Sequence, residues 1–209
     1  SGERTYSLIG RAAGGIPAGS LSRALQLLTT KRLVEAIVPL STQASRETRY
    51  VVADPYLRFW LAFLGPYLAE IERGRGDLVR TRIESSWTTW RGRAIEPVIR
   101  ESLRRLPAGH LPEGTNIIGG YWTRTNNPEI DIVGADREPV AKQITLVGSI
   151  KWLNNRAFDP HDLAQLVGHR SRLPGADDST PLLVVTRNGT TTDGVLALGP
   201  EELLAAWRP

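Results

Sequence analysis

The chain has 209 residues, is 41% hydrophobic and 23% charged, and carries 26 basic against 22 acidic side chains for a formal net charge of +4. That length and apolar content suffice for one large or two small buried cores, and no run approaches the ~20 consecutive apolar residues that span a bilayer. The absence of cysteine excludes a disulfide framework, a thiolate metal site and a cysteine nucleophile.

The absence of cysteine fits the expectation of a cytoplasmic protein, and no charged-then-apolar leader opens the sequence. It also lacks methionine and opens Ser1-Gly2, which reads as a remnant of tag removal, so we expect the C-terminal part of a longer protein. Charge is uneven. Residues 1–53 hold seven basic and three acidic groups, residues 54–107 ten and seven, and residues 108–209 nine and twelve. The positive excess of the first half suits contact with a polyanion, although a solvated arginine-rich face has the same composition.

In chain order, residues 6–13 read as a short helix and residues 14–19 as a turn, with Ser20 as N-cap of a second helix. There Leu21, Ala24, Leu25 and Leu28 recur at helical spacing and leave Arg23 and Gln26 on a polar outer face. Residues 33–40 and 49–53 read as two strands joined by the polar loop 41–47. Helix, turn, helix and a two-stranded wing make a winged helix, expected over residues 1–53. In such a module the second helix enters the major groove and Arg23 and Gln26 lie nearest the bases; the same module also serves as a protein-docking domain.

Asp54-Pro55 punctuates the boundary to a helical linker, residues 54–83, in which the apolar, aromatic run 56–64 is broken by Gly65-Pro66 and Gly74-Arg75-Gly76 is a hinge or loop. A long helix is expected from residue 87 to 106 with a buried stripe of Ile95, Val98, Ile99, Leu103 and Leu106. At about 100° per residue, Glu96 lies on the border of that stripe and is a candidate site residue; its i+4 partner Arg100 explains it equally well. Strands follow at 116–122, 129–134, 145–152 and 182–186, with a helix over 160–172 and a last one over 201–207. The short connection after Gly134 implies antiparallel pairing, and the helical crossover before residue 182 implies a parallel pair. The expected fold of residues 84–209 is therefore an α/β (α+β) arrangement, a mixed sheet with helices on its faces.

Two of these strands carry the chemistry. Strand side chains alternate between faces, so Glu129 and Asp131 share one side of the first, and Val147, Ser149 and Lys151 share one side of the second. Paired, they set a carboxylate beside an ammonium at the strand ends, the layout with which a metal-dependent phosphodiesterase holds a hard divalent cation and orients the attacking water. The competing reading is two solvated charges where strands reach the surface. Only three of the 26 basic residues are lysine, so Lys151 is less readily incidental in an arginine-using chain. Ser149 stands where a second acid is wanted. His110, His161 and His169 show neither zinc-ligand spacing nor a partner serine motif.

A helix with Glu, strands bearing Asp and then x-x-Lys, a crossover helix and a further strand resemble the restriction-endonuclease-like, PD-(D/E)xK nuclease fold. The whole chain resembles the C-terminal half of prokaryotic AAA+/STAND-like ATPases, in which a winged helix precedes a nuclease-like domain of unassigned function. The likeness is carried by residues 49–60, by Gly92-Arg93-Ala94-Ile95-Glu96, by Trp122-Thr123-Arg124 ahead of residues 129–133, and by Gly148-Ser149-Ile150-Lys151-Trp152. It implies Glu96 as the helix acid, Asp131 as the strand acid and Lys151 as the motif lysine, with Mg²⁺ or Mn²⁺ held by Glu96 and Asp131. Gln165 resembles the helix glutamine of RecB-type nucleases, His169 falls where their tyrosine would, and Asp162 is a candidate acid migrated from strand to helix; the plainer reading makes Gln165 and Asp162 polar helix residues. A serine at 149 removes one charge from a site built of two or three. The phosphate-binding loop of such ATPases is absent here, so no ATP site is expected in this piece.

Three functions follow, in order of expectation. The first is a nucleic-acid-binding or regulatory module of a larger ATPase, partnered by DNA through Arg23, Gln26 and Arg124 and by the upstream ATPase domain, with no membrane partner. The second is a weak Mg²⁺- or Mn²⁺-dependent nuclease using Glu96, Asp131 and Lys151. The third is a protein-interaction platform for the ATPase.

Overall fold

A computed structural model describes residues 4–208; Ser1-Gly2 lies outside them. The fold is mixed α+β and comprises a two-stranded sheet, a five-stranded mixed sheet and flanking helices. The described residues group into two compact units, one of residues 4–38 and 48–91, the other of residues 39–47 and 92–208. The division falls inside a helix, between Arg91 and Gly92.

The first unit begins with α1 (Tyr6–Ala12) and α2 (Ala18–Thr30), followed by the hairpin β1 (Val34–Ile37) and β2 (Arg49–Val52), antiparallel with Val34 opposite Val52. α2 starts two residues before the expected Ser20 cap, because Pro17, with its fixed φ, already sets the entry to the helix. Leu21 and Leu25 are its buried residues, while Ala24 is exposed. Asp54 caps α3 (Pro55–Phe59) by accepting from the Leu57 amide. The chain then widens into a π-helical turn over Trp60–Leu64, tightens into a 3₁₀ turn at Gly65–Tyr67 and resumes as α4 (Leu68–Glu72). Pro66 cannot donate and ends the regular ladder there. Gly65 is also required sterically, since a Cβ would fall 2.5 Å from the Trp60 ring. Phe59, Phe63, Trp87 and Trp90 form one aromatic cluster with centroids 5.3–6.5 Å apart.

Helix α5 (Gly76–Arg105) begins eleven residues earlier than the apolar stripe alone suggests. Its first turns carry the ion pairs Arg82–Glu70 and Arg80–Glu84 in place of a broad apolar face. In the second unit its stripe is Ile95, Ile99, Leu103 and Leu106, while Val98, expected to be buried, is 40% exposed. Residues spaced by four hold one line along the helix, and Val98 stands off that line.

The sheet runs β3 (Ile117–Trp122), β4 (Glu129–Ala135), β5 (Ile144–Lys151), β6 (Leu182–Thr186) and β7 (Leu196–Leu198) in that order, antiparallel across the first three and parallel across the rest. Helix α6 (Pro160–Arg170) crosses between β5 and β6, and α7 (Pro200–Ala205) follows β7. The central strands are apolar on both faces because both are covered. On one side Val147, Val184 and Leu166 of α6 pack together; on the other Ile132, Leu183 and Val185 meet Ile99 and Leu103 of α5 and Leu203 of α7. The turn from β4 to β5 is closed by Asp136, whose Oδ1 accepts from the amides of Lys142 and Gln143 at 2.9 Å. No helix among the described residues is long and apolar enough to cross a membrane.

Candidate functional site

Residue 131 owes its position to an irregularity in β4. Gly119 pairs with Val133 and Tyr121 with Ile130, so β4 carries one residue more than β3 over this span. The extra residue makes a bulge at Asp131-Ile132, which turns a side chain out of strict alternation. The backbone of Asp131 is fixed by α5, where Arg100 Nε donates to its carbonyl at 2.8 Å. A Cβ on Gly120 would lie 3.3 Å from that guanidinium, so glycine opposite the bulge leaves it room.

The recorded pairing of β4 with β5 ends at Ile132 and Gly148. Beyond it the Asp131 carboxylate bridges the two strands: its Oδ2 accepts from Ser149 Oγ at 3.1 Å and from the Ile150 amide at 2.9 Å. Asp131, Ser149 and Lys151 line one cleft, whose opposite wall is α6 with Asp162, Gln165 and His169.

α6 starts with a reciprocal capping box. The Asp162 amide donates to Asp159 Oδ1 at 2.9 Å, and the Asp159 amide donates to Asp162 Oδ2. The Asp162 carboxylate is 2% exposed and takes the Lys151 ammonium on Oδ1 at 2.9 Å and the Arg156 guanidinium on Oδ2 at 3.0 Å. Burial by itself raises its pKa; the hydrogen bonds from Lys151 and Arg156, with the Lys151 charge and the Asp159 amide, outweigh burial and hold it below the usual aspartate value. His169 is displaced downward, first by burial and then by the Arg172 charge, with Asp131 opposing, which favours the neutral ring. Gln165 is exposed and shares a 3.1 Å contact with His161.

The structure thus brings together Glu129, Asp131, Ser149, Lys151, Asp162, Gln165 and His169. Glu96 does not line the cleft; it pairs with Arg100 at 3.3 Å, and Arg100 in turn holds the Asp131 carbonyl. Arg23 and Gln26 lie exposed on α2, where Arg23 Nε donates to the Gly19 carbonyl at 3.3 Å. Arg124 is exposed in the turn after β3 and does not line the cleft. Sequence reasoning undervalued Asp162. The signal was its N3 position after Asp159-Pro160, which fixes where an α6 acid points, but a capping role accounts for an acid there without any site.

A hard divalent cation asks for several oxygen ligands, two or more of them anionic. Three carboxylates line the cleft, those of Glu129, Asp131 and Asp162. Ser149 turns its hydroxyl onto the Asp131 carboxylate, and Asp162 is committed to two cations. No group of three or more His, Cys, Asp or Glu side chains that could hold a metal ion occurs among the described residues. With Asp131 engaged by Ser149 and Ile150 and Asp162 by Lys151 and Arg156, the arrangement does not fit the Mg²⁺ or Mn²⁺ implied by the nuclease resemblance.

A family model described as archaeal and bacterial proteins of unknown function, DUF234, matches residues 60–161, which include Glu96, Asp131, Ser149 and Lys151. No solved structure matches the chain. The chain is similar to the uncharacterized protein MJECL04 of Methanocaldococcus jannaschii, 26% identical over 167 residues that make up 78% of this chain and 36% of that protein, so the chain spans about a third of the length of the relative it matches.

Proposed function

We propose that this chain is a cytoplasmic nucleic-acid-binding or regulatory module, the C-terminal portion of a larger ATPase, in which a winged helix is joined to a PD-(D/E)xK nuclease-like domain that binds without cleaving. The order α5, three antiparallel strands, crossover α6 and parallel β6 supports the nuclease lineage. The observation that carries the non-cleaving reading is the mutual satisfaction of the cleft's charges: Asp131 accepts from Ser149 and Ile150, and the Lys151 ammonium is paired with buried Asp162. A lysine so paired is less free to position water on a phosphate, and carboxylates already engaged by protein donors are a weak seat for a metal. DNA contact falls to the outer face of α2. Residues 4–34 contain five cations and no acid, and phosphate contacts from such a surface give affinity that falls with salt.

One observation favours weak nuclease activity as a second reading, since Asp162 puts another carboxylate into the cleft in contact with Lys151. Both readings are tested by incubating labelled duplex DNA with the chain and Mn²⁺ at two salt concentrations. The proposal predicts a salt-sensitive complex with intact DNA. Cleavage abolished by Lys151→Ala establishes the second reading, and no complex at low salt leaves the interaction platform.

A further inference from the structure

The loop of the β1–β2 hairpin does not belong to the unit that contains its strands. Residues 39–47 group with the second unit, where they form a strap along the outer edge of β3. The Leu40 amide donates to the Gly120 carbonyl at 2.9 Å, and the Ser41 carbonyl accepts from the Ala141 amide at 2.9 Å, in a parallel bridge with Val140. At the far end the Glu47 carbonyl accepts from Trp122 Nε1 at 2.7 Å. Leu40 is 4% exposed within the core that holds Ile130 and Val133, and Ser41 is 1% exposed. Gly119 makes the approach possible, because a Cβ there would lie 3.1 Å from the Leu40 side chain.

A strap of this kind shields a sheet edge from unwanted pairing, but its position does more. Gly120 is the β3 residue opposite the bulge at Asp131-Ile132. The bulge is therefore gripped twice, from the helix side by Arg100 on the Asp131 carbonyl and from the sheet edge by Leu40 through Gly120. Bulges re-aim side chains, and the side chain aimed here is the carboxylate that bridges β4 and β5 at the cleft.

We infer that residues 39–47 are a mechanical link: the tip of a hairpin in the first unit is built into the second unit's sheet where it sets the position of Asp131, so the state of the hairpin governs the cleft. The link holds whatever the cleft binds.

Amide hydrogen exchange on the whole chain tests it, with the Ile150 amide reporting on the Asp131 carboxylate that it donates to. In Leu40→Ala the Leu40 and Ile150 amides exchange at least tenfold faster while Val184, in the middle of the sheet, keeps its rate. If Val184 also accelerates, Leu40→Val is read by the same criterion. From the other side, Ala36→Gly, which loosens β1 opposite Tyr50, accelerates Leu40 and Ile150 together by threefold or more. An unchanged Ile150 rate while Leu40 accelerates makes the strap a mere edge cover, and an unchanged Leu40 rate in Ala36→Gly shows that nothing passes from hairpin to strap; either result overturns the link.

Discussion

Asp162 is the residue on which the electrostatics of the cleft turn. It is buried, caps α6 and neutralises both Lys151 and Arg156. Asp162→Ala removes a capping interaction and charge-assisted hydrogen bonds, and is expected to cost roughly 2–4 kcal/mol in urea unfolding. The pH dependence follows from the depressed folded pKa. A carboxylate held below its unfolded value, ~3.9 for aspartate, contributes stability that is fully present above that value and is lost as pH falls through the lower folded one. Asp162→Asn should therefore flatten the acid limb of the stability curve below about pH 4, and an unaltered limb would show that the carboxylate carries no net stabilisation. The position of Asp131 beside Lys151 was legible from two apolar runs each bearing a charge. The partner of Lys151 was not, because an acid in the first turn of a helix is already explained by capping and sequence spacing does not show that the same oxygen reaches across to a strand.

At the scale of elements, the close packing of β5 against its neighbours depends on Gly148. A Cβ there would sit 2.8 Å from the Leu183 carbonyl and 3.2 Å from Ile132 Cβ, both on strands that cannot easily give way. Gly148→Ala is expected to destabilise by about 1–3 kcal/mol, read as a fall in the thermal midpoint, whereas Gly168→Ala, with nothing within 4 Å of the added methyl, should be neutral or better. Strands β4, β5 and β6 were legible because residues buried on both faces leave long apolar runs. β7, only Leu196–Leu198, was missed: three residues bounded by Gly194 and Gly199 give no periodicity to read. The first eleven residues of α5 were missed for the opposite reason. They hold their place with charges and a few apolar residues, so the apolar period is faint and Gly76 looks like a hinge. The polar loop at 41–47 was legible, but its bonds through Ser41 and Glu47 to the second unit's sheet were not, since a backbone carbonyl that pairs with protein looks the same in sequence as one that pairs with water.

At the scale of the whole molecule, the proposed nucleic-acid contact falls on α2 of the first unit and the nuclease-like cleft belongs to the second. Arg23→Ala is expected to weaken duplex binding about tenfold and to lower the salt dependence by about one released counterion, uniformly across sequences; a sequence-selective loss would instead assign Arg23 to base reading. With Ser149 in place of an acid and Asp162 engaged by Lys151 and Arg156, the cleft is expected to lack the free anionic ligands that a divalent cation requires. This is tested most directly by the thermal midpoint with and without Mn²⁺ for the chain and for Ser149→Glu, because a ligand that binds only the folded state raises the midpoint by an amount that grows with the logarithm of its concentration over its Kd. We predict no Mn²⁺-dependent rise for the chain as it stands and a rise of several degrees for Ser149→Glu. An equal rise in both would contradict the account, since it would mean that the existing carboxylates already hold the metal.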